Sequence, residues 1–236
     1  MSNIRLYYPE TIIENSISLL SKEHAHYLSN VMRLKRGSNV NFFNKNGEWT
    51  SQIVFLERDR VEVKFLKKIT EPSVLGNIEL IICLVKKQSM EIVLQKATEL
   101  GVRKIIPVIS ERTEIKDLNI ERANKIVIEA TEQSNQLIVP EIQEPKKLKN
   151  FINSLDNNVN LLFADINSKK KIDIKLIQNL NKISILIGPE GDFSPAEREM
   201  ILNRDNTISF SLSKNILRTE TAVISALSLI NYSLNL

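Results

Sequence analysis

The sharpest local pattern in the sequence is a glycine loop at residues 188–193 (GPEGDF), which follows a buried-strand run at 183–187 (ISILI). The loop holds two of the chain's six glycines. Glycine lets the backbone approach a ligand closely and adopts positive φ at little cost. Residues 194–197 (SPAE) then have the form of a helix start with a capping box. This combination is typical of a small-molecule site, although a tight strand–helix turn without a ligand gives the same pattern.

A second loop of this kind precedes the last helix. The strand predicted at 207–212 leads into residues 213–220 (SKNILRTE), which are rich in hydrogen-bonding side chains. Arg218 and Glu220 place two charges at the start of an apolar helix expected at 221–234. In the simpler interpretation, Thr219 or Thr221 caps this helix and Arg218 faces water. In the other interpretation, the two charged side chains act on a substrate.

Both loops belong to a segment in which strands and helices alternate. After Pro72 the apolar periodicity predicts strands at 78–85, 104–109, 159–164, 183–188 and 207–212, and helices at 89–100, 119–134, 146–154, 195–203 and 221–234. Such alternation predicts an α/β domain whose mostly parallel sheet is covered on both faces. Ligands bind such sheets at the carboxyl ends of the strands, where both loops lie.

The first 72 residues have a different, β-rich pattern. Strands are predicted at 39–43, 49–55 and 60–66, with a hairpin turn at Asn46-Gly47, and one helix is predicted at 22–32. Residues 71–73 (EPS) break the pattern and are the predicted linker. The sequence therefore predicts two domains, 1–72 and 73–236.

Composition excludes several classes of protein. Of the 236 residues, 42% are hydrophobic and 25% are charged, which is globular composition and not that of a disordered or fibrous chain. No apolar run approaches the roughly 18 residues that span a bilayer, and no apolar signal core follows the N-terminus. The single cysteine, Cys83, cannot form an intramolecular disulfide. These features predict a cytoplasmic protein, and the scarcity of Cys and His predicts no metal site.

The positive charge is concentrated at the N-terminal end. The net charge is +4, and residues 1–72 carry 11 Lys and Arg against 8 Asp and Glu, or +3 of that total. Arg33, Lys35 and Arg36 form one tight basic cluster. A basic surface attracts phosphate chiefly through counterion release. A solvated face on a lysine-rich protein explains the charge equally well, so charge alone leaves a nucleic-acid partner open.

The two loops, in this order, resemble those of the RsmE family. Its members are bacterial 16S rRNA methyltransferases of the SPOUT superfamily, which methylate N3 of one uridine. Residues 95–102 (QKATELGV), 110–113 (SERT) and 129–134 (EATEQS) are similar to further family motifs. Pro140 also matches, and residues 26–37 resemble part of the family's RNA-binding domain. The resemblance therefore spans nearly the whole chain.

This resemblance implies a fold, a cofactor and partners. The fold would be a trefoil-knotted α/β SPOUT methyltransferase domain preceded by a small PUA-like β-barrel that binds RNA. The cofactor would be S-adenosylmethionine (SAM). The protein would be a homodimer acting on 16S rRNA, within the 30S subunit. The alternatives are another SPOUT RNA methyltransferase with a different target, and a non-catalytic RNA-binding protein of ribosome assembly.

The resemblance also implies roles for individual residues. Arg218 would stabilise negative charge on O2 or O4 of uracil, and Glu220 or Glu190 would accept the N3 proton or hold Arg218 in place. The residues expected to face RNA are Arg5, Arg33, Lys35 and Arg36. The residues expected to hold SAM are Leu186, Ile187, Gly188, Pro189, Glu190, Gly191, Leu212, Ser213, Asn215, Ile216, Leu217 and Thr221.

Four positions depart from the family pattern. The family usually has glycine where this chain has Asp192 and Ser213, and often Gly-Arg where it has Asn135-Gln136. Asp and Asn tolerate the left-handed conformation, so Asp192 and Asn135 are expected to keep the family's backbone. Ser213 is a less suitable replacement if its φ must be positive. Gln136 removes a cation. Asp192, Ser213 and Gln136 are the features that favour the non-catalytic alternative.

Overall fold

The computed structural model describes residues 4–57, 60–72, 77–180 and 182–234. The chain forms two compact units, of which the first comprises Met1–Val74 and Thr131–Val139 and the second comprises Leu75–Ala130 and Pro140–Leu236. The first unit thus takes in a segment that lies far beyond the predicted boundary at residue 72. Ser73 of the predicted linker lies outside the described residues.

The first unit is built on one five-stranded sheet. Its strands are β1 (Arg5–Tyr7), β2 (Ile17–Leu19), β3 (Asn39–Asn44), β4 (Gly47–Glu57) and β5 (Arg60–Thr70), in the order β1-β3-β4-β5-β2. β1 pairs in parallel with β3, and the other pairs are antiparallel. The three predicted strands are confirmed, while the three-residue edge strands β1 and β2 were not predicted.

Alternation along β5 supplies the core of this unit. Val61, Val63 and Phe65 are fully buried and pack in one cluster with Phe42. The hairpin between β3 and β4 pairs Asn44 with Gly47, so its two-residue turn is Lys45-Asn46, one position before the predicted Asn46-Gly47. Gly47 has φ +137°, and a Cβ there would lie 2.5 Å from the Thr70 carbonyl oxygen, so this position requires glycine.

The helix predicted at 22–32 is shorter than expected. Helix α1 (Lys22–His26) begins at the Ser21 N-cap and passes into a π-helical turn, Tyr27–Val31. Arg33 follows with φ +51°, a left-handed conformation that ends the helical segment.

The second unit is the predicted α/β fold. Its strands and helices are β6 (Ile78–Cys83), α2 (Lys87–Glu99), β7 (Lys104–Ile109), α3 (Ile120–Gln133), β8 (Glu141–Ile142), β9 (Lys146–Lys147), α4 (Leu148–Ser154), β10 (Leu161–Ala164), α5 (Ile174–Gln178), β11 (Ile183–Ile187), α6 (Pro195–Leu202), β12 (Thr207–Phe210) and α7 (Thr219–Leu234). The last residues of α3, from Thr131 onward, belong to the first unit.

All strand pairs in this second sheet are parallel. The order is β12-β10-β11-β6-β7-β8, with β9 also paired to β7. The central strand β11 is buried at all five positions. The trefoil knot implied by the resemblance stays a prediction. None of the described helices is long and apolar enough to cross a membrane.

Candidate active site

A cleft of about 630 Å³ opens where β10, β11 and β12 end. These strands are neighbours in a parallel sheet, so the loops that follow them meet at one edge. This volume includes the open mouth of the cleft. Nine of the twelve residues expected to hold a cofactor line it, namely Ile187, Gly188, Pro189, Glu190, Leu212, Ser213, Asn215, Ile216 and Leu217.

The loop after β11 has the predicted helix start. Ser194 Oγ accepts a hydrogen bond from the Glu197 N–H (3.2 Å), and the Glu197 carboxylate accepts one from the Ser194 N–H (3.1 Å), which completes a capping box. The positive φ of this loop falls on Asp192 (+59°), as its tolerance of the left-handed region predicts, and not on Gly188 or Gly191.

Gly188 is required for a different reason. A Cβ at this position would lie 2.9 Å from the ring of Phe193, which is buried and packs edge-on against Phe163. The Gly188 carbonyl also accepts a hydrogen bond from Thr219 Oγ1 at 3.3 Å, which joins this loop to the start of α7. The absence of a side chain at Gly188 therefore lets the Phe193 ring pack against the backbone beside the cleft.

The loop after β12 forms the opposite wall. Ser213 Oγ accepts from the Asn215 N–H (3.0 Å), and Ser211 Oγ donates to the Ser213 carbonyl (3.0 Å). Ser213 does not have positive φ, so its replacement of glycine introduces no left-handed strain. Ile216 lines the cleft with 85% of its surface exposed.

Sequence reasoning missed the third wall, the loop after β10. Asp165 lines the cleft with its side chain only 1% exposed. Its carboxylate accepts hydrogen bonds from Arg198 and from the Asn167 N–H (3.0 Å), and its own N–H donates to the Phe210 carbonyl. The hydrogen bonds to Asp165 raise the pKa of the Arg198 guanidinium. The position of this loop at a strand's carboxyl end was the available signal.

Three of the predicted cofactor residues lie elsewhere. Leu186 is fully buried in the hydrophobic core. The Gly191 carbonyl accepts a hydrogen bond from Arg112, and Gly191 is not part of the cleft lining. Thr221 is exposed in the first turn of α7 and is likewise outside the lining. Thr219, considered only as a helix cap, lines the cleft.

The candidate catalytic residues lie at the cleft's edge. Arg218 is exposed between Leu217 and Thr219, which both line the cleft, and no other described residue hydrogen-bonds or ion-pairs with its guanidinium. Glu190 is exposed in the lining and Glu220 is half-buried. Within the described part of the chain, neither carboxylate forms an ion pair with Arg218. The predicted contact by which Glu190 or Glu220 would hold Arg218 in place is therefore not seen.

Arg5 does not have the surface position expected of an RNA contact. Its side chain is only 7% exposed, and its guanidinium stacks 3.6 Å above the Phe43 ring. Nε donates to Glu48 (2.8 Å), and the terminal nitrogens donate to the carbonyls of Thr131 (3.1 Å), Glu132 (3.4 Å) and Gln136. Arg5 is therefore an internal residue of the first unit, and the prediction that it faces RNA is corrected.

The other three basic candidates are available to a partner. Arg33, Lys35 and Arg36 are exposed on the loop between the π-helical turn and β3. No described residue forms an ion pair with them. The loop that displays them is therefore a compact cationic surface.

Neither Cys83 nor a metal cluster adds a reactive group among the described residues. Cys83 is fully buried, and burial raises the pKa of its thiol to about 12, which makes it an inert core residue. Among the described residues, no group of three or more His, Cys, Asp or Glu side chains is placed to hold a metal ion.

Comparison with known proteins identifies the family. A family model described as an RNA methyltransferase domain matches residues 71–231, and one described as an RNA methyltransferase PUA domain matches residues 20–66. Ribosomal RNA small subunit methyltransferase E of Rickettsia conorii is 35% identical, over 95% of this chain and 93% of that protein. The chain belongs to the RsmE family.

Other RsmE proteins match this chain over nearly their full length. The protein of that name from Buchnera aphidicola subsp. Schizaphis graminum is 31% identical, over 95% of this chain and 94% of its own. RsmE from Neisseria gonorrhoeae, crystallised with S-adenosyl methionine bound, is 30% identical, with a TM-score of 0.89 over 98% of this chain and 97% of that one. The parallel-sheet unit is thus an RsmE methyltransferase domain, and the first unit is its PUA-like domain.

Proposed function

We propose that this chain transfers the methyl group of SAM to N3 of a uridine in 16S rRNA. One observation carries the proposal: a single cleft brings together both loops on which the resemblance to RsmE rests. Membership of an RNA methyltransferase family and the SAM-bound relative support it. This geometry does not favour the non-catalytic alternative, because Ser213 has no positive φ and Asp192 takes up its positive φ in the left-handed region that Asp tolerates.

The lining of the cleft suits SAM in its chemistry. The backbone of residues 188–190 would contact SAM, and the backbone of residues 212–217 would read the edge of the adenine. Leu212, Ile216 and Leu217 provide apolar surface for the adenine faces. When bound, SAM supplies an electrophilic methyl group on a sulfonium sulfur.

The chain's own residues must then make the uracil nitrogen nucleophilic. N3 carries a weakly acidic proton, so the base must be deprotonated as the methyl group is transferred. Arg218 is the group that stabilises the negative charge developing on O2 or O4, because its guanidinium is unpaired and stands at the cleft edge. Glu190, in the cleft lining, and Glu220, in the first turn of α7, are the candidates to accept the proton.

We assign contact with the rRNA to the basic loop of the first unit, formed by Arg33, Lys35 and Arg36. Its three exposed cations have no acidic partners among the described residues, so they can release counterions when they meet phosphate. The substrate would be the 16S rRNA of the 30S subunit, in the cytoplasm.

A homodimer would cover the apolar side chains exposed on the second unit. Tyr232 of α7 is 75% exposed, and Ile216 and Ile166 at the cleft are 85% and 53% exposed. If these side chains lie between two copies of the chain, their burial would stabilise the dimer. The dimer predicts a mass of twice 27.0 kDa by light scattering, and a monomer mass at working concentration contradicts it.

Methyl transfer tests the function directly. Labelled SAM is incubated with the protein and with 30S subunits that lack this methylation, and the labelled nucleoside is identified by mass spectrometry. We expect 3-methyluridine in the 16S rRNA. Label on another nucleoside or ribose favours a different SPOUT target, and no transfer despite SAM binding removes the substrate assignment.

Arg218→Ala tests the catalytic assignment in the same assay. Loss of a charge-stabilising donor costs roughly 10²–10³ in kcat. SAM affinity should stay close to that of the wild type, because Arg218 does not line the cleft. Lys214→Ala, which removes a cation from the same loop, is the matched control.

A further inference from the structure

A second cleft lies next to the cofactor cleft in the second unit. It encloses about 930 Å³ including its open mouth, and Arg112, Asn167, Arg198 and Glu199 are among the residues around it. Asp192 lines both clefts, so the two share a wall. In contrast to the cofactor cleft, this one has a polar rim with two guanidinium groups.

The two guanidinium groups are in different electrostatic states. Arg198 is neutralised, because the buried carboxylate of Asp165 accepts hydrogen bonds from its Nε and Nη2. Arg112 Nη1 donates to the Gly191 carbonyl at 3.0 Å, which is a neutral acceptor. No carboxylate oxygen of the described residues lies within ion-pairing distance of Arg112. Arg112 is therefore a cation without an ion-pair partner among the described residues, in a cleft whose lining also holds the carboxylates of Asp192 and Glu199.

The carboxylates near Arg112 already have partners or lie outward. Asp192 accepts from the Phe193 N–H (2.8 Å) and from Asn167 Nδ2 (3.4 Å). Glu197 is buried and accepts from the backbone N–H groups of Glu111 and Ser194. Glu199 is exposed on α6. None of these carboxylates forms an ion pair with Arg112, so its guanidinium can still pair with an anionic ligand.

A tight turn holds Arg112 in place. Ser110 and Thr113 are buried and share a hydrogen bond between their hydroxyl oxygens (2.7 Å), and the Ser110 N–H donates to Thr113 Oγ1 (3.1 Å). The Glu111 N–H is anchored by Glu197 Oε1 at 2.8 Å. This turn is the SERT segment, to which no role has so far been given. It fixes the backbone at Arg112, whose exposed guanidinium is held at Nη1 by the Gly191 carbonyl and keeps its other N–H groups for an anion.

We propose that Arg112 binds a backbone phosphate of the RNA substrate beside the cofactor cleft. The inference rests on the proposed function, since it takes RNA as the substrate. Arginine suits this role because its planar fork of donors matches phosphate oxygens. Since Arg112 also holds the Gly191 carbonyl, the RNA strand would be fixed next to the loop that carries Glu190.

The test measures how RNA affinity depends on salt. Unmodified 16S rRNA transcript is titrated with the full-length protein and with Arg112→Gln between 50 and 300 mM KCl. One lost phosphate contact lowers the slope of log K against log [salt] by about 0.7–0.9, which at 0.1 M salt is a loss of about five- to eightfold in affinity. Arg112→Lys should keep most of the slope. Arg122→Gln, an exposed arginine paired with Glu91, is the matched control and should keep all of it.

SAM affinity, measured by calorimetry on the same variants, separates the possible outcomes. We expect Arg112→Gln to bind SAM as the wild type does. Weaker SAM binding with an unchanged salt slope would mean that Arg112 only supports the cofactor loop, and the proposal fails. An unchanged slope with unchanged SAM binding also overturns it. If the wild type binds no SAM, the proposed function fails instead, while the salt slope still reports on Arg112.

Discussion

Arg198 Nη2 lies 2.7 Å from Asp165 Oδ2, and Arg198 Nε lies 3.2 Å from each oxygen of the same carboxylate. This forked ion pair ties α6 to the loop after β10. The loop lines the cofactor cleft, and α6 begins where the glycine loop ends. One interaction therefore holds two of the cleft's three walls together.

Removal of Arg198 should weaken both the fold and the cleft. Arg198→Met leaves the Asp165 carboxylate buried without its cation. Since Arg198 is itself one-third exposed, we expect a loss of about 2–3 kcal/mol in the free energy of unfolding, somewhat less than the roughly 3–5 kcal/mol of a fully buried pair. Urea denaturation measures this, and calorimetry should show weaker SAM binding. Asp165→Asn/Arg198→Met should be less destabilised than Arg198→Met, and an equal or greater loss contradicts this account.

The two glycines of the cofactor loop should respond differently to alanine. Gly188→Ala pushes a methyl group against the buried Phe193 ring, and such overpacking costs roughly 1–3 kcal/mol. Gly191→Ala meets only ordinary contact, with Arg112 Cβ 3.6 Å away, and has no positive φ to strain. We therefore expect a lower melting temperature for Gly188→Ala alone. Equal melting temperatures for the two variants would contradict the packing argument.

Arg5 and the basic loop should separate stability from RNA binding. Arg5→Met removes a buried cation that Glu48 and three backbone carbonyls depend on, so the free energy of unfolding should fall by about 3 kcal/mol or more.

The triple variant Arg33→Gln/Lys35→Gln/Arg36→Gln should unfold like the wild type but bind RNA more weakly, with a shallower salt dependence. A triple variant that retains the full salt dependence would remove the RNA role of this loop.

The Cys83 thiol should make stability fall at alkaline pH. Its pKa is about 12 in the folded chain against 9.0 for a free thiol, so between these values the unfolded state loses a proton that the folded state keeps. Stability is therefore full below pH 9 and declines as pH rises toward 12, by about 1.4 kcal/mol per pH unit from this group. Denaturation at pH 8 and at pH 11 measures the fall in the free energy of unfolding between these two values. This fall should be smaller for Cys83→Ala than for the wild type. Iodoacetamide should leave Cys83 unlabelled in the folded wild type and label it once the protein is unfolded.

Local periodicity was sufficient for the long elements. β5 alternates Val61, Val63 and Phe65 with polar residues, and the Ser194–Glu197 capping box was readable from four consecutive residues. β1, β2 and α5 are only three to five residues long, so no period develops within them. Their formation depends on partners elsewhere in the chain, as in the pairing of β1 with β3.

The same distinction applies to the cleft. Its two glycine- and serine-rich loops were predicted because their own residues carry the signal. Asp165 was missed because its importance comes from Arg198, 33 positions away. Arg5 was misassigned because charge indicates an exposed side chain, whereas its backbone acceptors lie more than 120 residues away in sequence. Single-sequence reasoning identifies chemistry that is local and misses chemistry that tertiary pairing creates.

The assignment of Thr131–Val139 to the first unit limits how freely evolution can recombine this protein. A gene segment that encodes only the first 72 residues lacks the carbonyls of Thr131, Glu132 and Gln136 on which the Arg5 guanidinium rests. Transplanted as a cassette onto another enzyme, it would carry an orphaned cation in its interior. The first unit therefore depends on a stretch of chain inside the methyltransferase match, and a working transplant would have to carry both pieces.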